Sequence, residues 1–238
     1  MSSKADWPTF LEPVDPDSSD RLFFSPHEWD TVEALSARII PTDHDPGARE
    51  ARVVVFIDRY LSGINYIFAA ADGSGFLRID GHYATAWRSR IADMQRTYRD
   101  GLVQLDAMCR SEWGEPFVSL DEDRQDRAME LLWGAPKPGP VTLGTTEPAS
   151  TFTQFLTDDG LGFFDALCLH VKQGFYADPV YGGNKERIGW RVIGFEGPEK
   201  LKDTMDGTYS TDSLFVQDYS WADLIPQLKA QTTWDLPT

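Results

Sequence analysis

Apolar residues along most of this chain recur every third or fourth position, the spacing of amphipathic helices rather than of strands. Trp29, Val32, Leu35 and Ile39 share one face of a first helix. Ser25 is its N-cap, Pro26 suits its first position, Glu28 completes a capping box, and Pro41 ends it. Asp45 is placed to cap a second helix with Pro46 at its first position. That helix carries Val53, Ile57, Tyr60, Leu61, Ile64 and Ile67 and stops in the glycine-rich "AAADGSGFLRIDG". The longest stripe, Tyr83, Trp87, Ile91, Met94, Tyr98, Leu102, Leu105 and Cys109, runs over about seven turns and is closed by Gly114. Ser119 and Glu122 form a second capping box ahead of a fourth helix whose first turn is acidic, as the helix dipole favours. Phe152, Phe155, Leu156, Phe163, Leu167 and Val171 predict a fifth, with Gly160 and Gly162 inside it as the place for a kink.

The flanks break this period. Residues 1–22 are polar, contain three prolines, and read as an extended arm with Trp7 and Phe10 as surface anchors. "APKPGPVTLGTTEPAS" is a connector. "RVIGFEG" reads as a short strand or an extended surface segment, and "SWADLIPQLKAQ" as a short helix broken at Pro226. The predicted fold is all-α: a bundle of about five helices with extended, irregular arms at both ends. Its organisation is an N-terminal arm over 1–22, a helical domain over 23–198 and a C-terminal arm over 199–238.

Charge narrows the partners. The 238 residues carry a net charge of −16, which excludes a phosphate backbone and disfavours anionic lipid. The two cysteines, Cys109 and Cys168, are too few for a disulfide framework or a zinc site and are expected as buried free thiols. No run of about 18 apolar residues predicts a membrane span. The start shows neither an apolar leader nor a twin arginine, so the chain as written is expected in the cytoplasm.

Candidate chemistry is sparse. No GxGxxG follows a strand, so the chain is not expected to bind a dinucleotide or other cofactor of its own, and no P-loop, HExxH or GxSxG is present. None of the four histidines stands in the ExxH spacing of a di-iron bundle. Asp43, His44 and Asp45 are the best local metal candidate, weighed against turn formation by the aspartates beside Pro46. His170, near the apolar stripe of the fifth helix, reads as a satisfied, half-buried histidine rather than a base. Asp178, before Pro179, reads as a turn initiator rather than a lone general base. No catalytic residue and no metal ligand is therefore assigned.

The informative stretch is "GFYADPVYGGNKERIGW", Gly174 to Trp190, which sets large aromatics among four glycines, a proline and an asparagine. Aromatics on irregular backbone either mark a recognition surface or cap the chain's own bundle, and composition leaves both open. Gly182 and Gly183 are expected at positive φ, and Asn184 can bond local backbone.

"GFYADPVYGGN" followed by "IGWRVIGFEGP" resembles the signature of the gluconate 2-dehydrogenase subunit 3 family. So do "EALSARIIPTDHDPGAREARVVVFIDRYL" and "YRDGLVQLDAMCRSEWGEPFVSLDEDRQDRAMELL", and together they cover about residues 25–198. The resemblance implies a small, non-catalytic subunit that stabilises or chaperones a large FAD-containing subunit of the glucose–methanol–choline oxidoreductase type. That partner oxidises a sugar or sugar acid, and in many members a cytochrome c subunit accepts the electrons. Many members carry a twin-arginine signal that exports both subunits; from that pattern this chain departs, so it is expected in the cytoplasm, or in the periplasm where a signal-bearing partner or a leader missing from the chain as written exports it. The residues that carry it, as contact or structural positions, are Gly174, Phe175, Tyr176, Asp178, Pro179, Tyr181, Gly182, Gly183, Asn184 and Trp190. The arms are expected to wrap the partner. A self-standing helical enzyme built on Asp43, His44 and Asp45, and a transient folding or export chaperone, are the alternatives.

Overall fold

The computed structural model describes residues 18, 20–63, 66–69, 76–78, 81–136, 157–195 and 197, the two segments 66–69 and 76–78 by their backbone alone. The chain divides into two compact units, Met1–Phe68 with Phe76–Glu196, and Ala69–Gly75 with Gly197–Thr238. The architecture below is that of the first. Both predicted arms beyond these residues, the connector after Pro136, Phe152, Phe155 and Leu156, and the helix expected around Pro226 lie outside the described residues.

Helix α1 spans Pro26–Ile39 and begins as its caps dictate. The Ser25 hydroxyl accepts the Glu28 amide, while the Glu28 carboxylate accepts the Ser25 amide at 2.8 Å. Such a box stabilises a helix end by about 1 kcal/mol. The next helix starts later than expected. Residues 41–52 form a tight turn in which the Thr42 hydroxyl and the Gly47 amide both donate to Glu50, at 2.7 and 2.9 Å. The Ala48 amide returns to the Ile40 carbonyl at 2.9 Å. That closure leaves Pro46 outside any helix, and α2 runs only over Val53–Ser62.

Gly63, at φ 71°, ends α2 in a left-handed cap, so the helix stops before the expected Ile64, which lies outside the described residues, and before Ile67. Two short strands, β1 (Tyr66–Ala69) and β2 (Phe76–Arg78), pair where the sequence pattern suggested only helix and loop. Helix α3 then runs for 33 residues, Gly81–Trp113, and Gly114 closes it as its position predicts. Ile91, Met94, Tyr98, Leu102, Leu105 and Cys109 are buried along it, but Tyr83, in its first turn, is 69% exposed.

Helix α4, Glu122–Trp133, is capped by Asp121 rather than Ser119; the Asp121 carboxylate accepts the Arg124 amide at 2.9 Å. Ser119 instead ends a 3-10 turn, Phe117–Ser119, that buries Phe117. Helix α5, Phe163–Tyr176, also begins later than its periodicity suggests. Gly160 and Gly162 stand ahead of it as turn and N-cap, so no kink interrupts the helix. Neither the short strand nor the extended segment expected at "RVIGFEG" begins it: Ile188–Val192 form a short helix, α6, followed by a turn.

The bundle is organised around α2, which packs against α5, α1 and α3. Its buried Val53, Ile57 and Leu61 meet a core that includes Val32 and Leu35 of α1, Tyr98 and Leu105 of α3, and Leu167 and Val171 of α5. The helical class predicted from periodicity therefore holds, with six helices among the described residues. No helix among them is long and apolar enough to cross a membrane.

Candidate functional site

A buried polar cluster lies where α2, α3, α5 and the segment before α5 converge. His170 is buried on α5, with Tyr98 of α3 on one side and Asp158 on the other. The Asp158 carboxylate can only accept, so His170 holds its proton on Nε2 and donates to Oδ2 at 3.1 Å. Nδ1 is then the acceptor for the Tyr98 hydroxyl at 2.9 Å. Tyr60 of α2 donates to the same carboxylate at 2.6 Å, and Arg90 of α3 closes it from the solvent side. Tyr98 stacks on the His170 ring with centroids 5.7 Å apart, which fixes the ring plane.

The protonation states follow from burial and partners. Burial alone would raise the Asp158 carboxyl. Hydrogen bonds from His170 and Tyr60, with the charge of Arg90, outweigh it and hold the group at about 2. Burial pushes His170 below the ordinary histidine range, and its bond to Asp158 only partly offsets this. Burial, then the bond to Asp158, pushes the Tyr60 phenol up. The centre is thus an ionised carboxylate, a neutral imidazole and two protonated phenols, with both imidazole nitrogens engaged. His170 is hydrogen-bonded at both ring nitrogens, as expected of a satisfied histidine, although it is fully rather than half buried. Asp158 was not legible in the sequence: its partners stand 12, 68 and 98 residues away, and "TDDG" looks like any acidic turn.

The Gly174–Trp190 stretch is more ordered than its composition suggests. Gly174, Phe175 and Tyr176 are the last turn of α5. Asp178 caps a 3-10 turn, Pro179–Tyr181, by accepting the Val180 amide at 2.9 Å, which is the turn role expected of it. Asn184 is fully buried and ties three points together: its amide donates to the Ala177 carbonyl and its carbonyl accepts the Gly189 amide, both at 2.8 Å. Its neighbour Lys185 donates its backbone N–H to Ala51 at 3.0 Å. Trp190 is 6% exposed, and its indole N–H donates to the Tyr176 carbonyl at 2.8 Å. Phe175 is buried in the core, where such a side chain contributes about 2–3 kcal/mol. Tyr176 stays 42% exposed.

The two glycines differ. Gly182 has φ 100°, as expected, beside the Arg59 side chain. Gly183 is not in the left-handed region; it is glycine because a Cβ there would press into the Gly174 carbonyl. The positive-φ work falls instead on Asn184, Glu186 and Arg187, at 48°, 55° and 59°. Each such non-glycine residue costs on the order of 1 kcal/mol.

Asp43, His44 and Asp45 do converge, with their ligand atoms within 4.8 Å of one another. All three are exposed, and the Asp43 carboxylate already accepts the Asp45 amide at 2.9 Å. The arrangement is that of an aspartate turn. Cys109 and Cys168 are both free thiols, pushed up to about 11 by burial.

Neither the curated proteins nor the solved structures contain a significant match to this chain. The family model described as Gluconate 2-dehydrogenase subunit 3 matches residues 26–197, which takes in α1 through α6, the buried His170 centre and the whole Gly174–Trp190 stretch. The chain belongs to the gluconate 2-dehydrogenase subunit 3 family.

Proposed function

We propose that this chain is the non-catalytic small subunit of a flavin-dependent sugar or sugar-acid dehydrogenase, binding and stabilising an FAD-containing large subunit of the glucose–methanol–choline type. Membership in a family named for one subunit of a multi-subunit dehydrogenase carries the reading. The buried centre supports it. Its carboxylate, imidazole and phenols are engaged with one another, an arrangement that locks helices rather than one that receives a substrate. On this reading the FAD of the partner accepts the hydride from the sugar carbon. This chain contributes interface area and a rigid scaffold, and a cytochrome c subunit is a further candidate member of the assembly.

Co-expression tests the reading. A tagged copy of the chain, produced with a glucose–methanol–choline flavoprotein from the same genome, should elute yellow. The flavoprotein expressed alone should be less soluble or lose FAD sooner on warming. An isolated chain that oxidises a sugar, with turnover lost on Asp43→Ala, would establish the self-standing enzyme instead. A flavoprotein that needs the chain during expression but elutes active without it would establish a transient chaperone.

A further inference from the structure

All non-glycine residues with left-handed φ among those described are Arg52, Asn184, Glu186 and Arg187. They fall in two segments that touch, since Lys185 N–H bonds Ala51 C=O at 3.0 Å. Asn184 is the inward anchor of this corner, fully buried and bonded at both ends of its carboxamide. The corner holds Lys185 at the surface and leads directly into α6.

The residues presented there combine bases unpaired among the described residues with exposed apolar side chains. The chain is strongly acidic overall, at −16. Elsewhere its arginines are largely matched with carboxylates: Arg38 with Asp126 and Glu122, Arg90 with Asp158, Arg99 with Glu28, Arg110 with Asp106. Lys185, Arg187 and Arg191 form no ion pair among the described residues. Beside them stand Tyr176, Val192 and Ile193, which are 42%, 40% and 58% exposed. The Trp190 indole bonded to Tyr176 C=O joins α6 to the end of α5, the two segments that carry these residues. Glu186 is the one carboxylate within the basic run.

We propose that this corner, with Tyr176, Val192 and Ile193 as its apolar centre and Lys185, Arg187 and Arg191 as its basic rim, is the docking surface for the large subunit, and that it receives an apolar patch edged with carboxylates. The proposal rests on the small-subunit reading and locates its interface. An apolar centre within a charged rim is the anatomy of a protein interface. Bases without carboxylate partners on an otherwise acidic chain supply the complementarity that selects an acidic edge. The rigid, strained backbone explains how short α6 can hold the patch in one shape before binding, which lowers the ordering cost of association.

The test uses the co-expressed flavoprotein as the probe. Ile193→Asp and the pair Lys185→Glu with Arg191→Glu alter exposed side chains, so both variants should keep the wild-type helical signal and melting temperature. Each should retain the flavoprotein at least about tenfold more weakly than wild type. Val103→Asp, on α3 and 69% exposed, should retain it as wild type does. If wild type itself fails to retain the flavoprotein, the small-subunit reading fails. If wild type and both corner variants retain it equally, the reading stands and this docking surface is overturned. Light scattering of the chain alone adds a second readout. A dimer that Ile193→Asp dissociates would assign the patch to a second copy and overturn the proposal, as would binding of wild type but not Lys185→Glu/Arg191→Glu to phosphatidylserine vesicles.

Discussion

At the scale of single residues, the Asp158–His170 pair makes the stability of this chain depend on pH with a definite sign. Asp158 is held at about 2 when folded, against 3.8 for the unperturbed group. Its contribution is therefore fully present above about pH 4 and is lost as pH falls through about 2, a loss of roughly 2 kcal/mol. His170 is lowered when folded. The unfolded chain therefore takes up its proton first, and stability also falls as pH drops below about 6.5. Both effects act in the same direction, so acid weakens this core twice. Asp158→Asn removes the charge that accepts from His170, Tyr60 and Arg90 while keeping the size of the side chain. It should cost about 2–3 kcal/mol at pH 7 in urea unfolding. The gap to wild type should close as both are titrated from about pH 4 toward 2. A gap that stays constant over that range would show that Asp158 does not act as an ionised acceptor.

At the scale of elements, close approach rather than propensity decides several positions. In a solvated helix an alanine is about 1 kcal/mol better than a glycine. Gly101 in α3 and Gly189 in α6 should reverse that preference. A Cβ on Gly101 would enter the Phe163 ring, and one on Gly189 would press into the Phe175 carbonyl. Gly101→Ala and Gly189→Ala should each destabilise by about 1–3 kcal/mol, seen as a lower denaturation midpoint with unchanged slope. Gly189→Ala should also loosen α6, read as faster amide exchange around Trp190. The same distinction separates what was legible in the sequence from what was not. Helix α1 and the end of α3 could be read because Ser25, Pro26, Glu28 and Gly114 act on their own neighbours. The start of α2 could not, because it is set by Glu50 folding back on Thr42 and Gly47. The end of α6 fell in "RVIGFEG", read as a short strand or an extended surface segment because "RVIG" is β-branched and short, while the Asn184 carboxamide that organises the first turn of α6 lies before it. The aromatic loop was legible as unusual but not as two-sided: nothing in "GFYADPVY" distinguishes the buried Phe175 from the exposed Tyr176 next to it.

At the scale of the whole molecule, the net charge of −16 would oppose the approach of the carboxylate-edged partner proposed above. A body of −16 repels a carboxylate-edged surface at long range, and three bases on one corner attract it at short range. Salt separates the two, because the Debye length shrinks from about 30 Å at 0.01 M to about 8 Å at 0.15 M. Long-range repulsion between the bodies is screened first, and attraction at the corner persists until the charges are nearly in contact. The association rate of wild type with the proposed flavoprotein partner should therefore change little or rise slightly at low salt and then fall at higher salt. Lys185→Glu with Arg191→Glu removes the attraction and adds to the repulsion, so its rate should start lower and rise throughout, its salt dependence opposite in sign to that of wild type above about 0.15 M. Stopped-flow mixing across a salt series, following flavin or tryptophan emission, reads both slopes. Parallel slopes for the two proteins would mean that the basic corner does not face the partner, whatever the strength of the final complex.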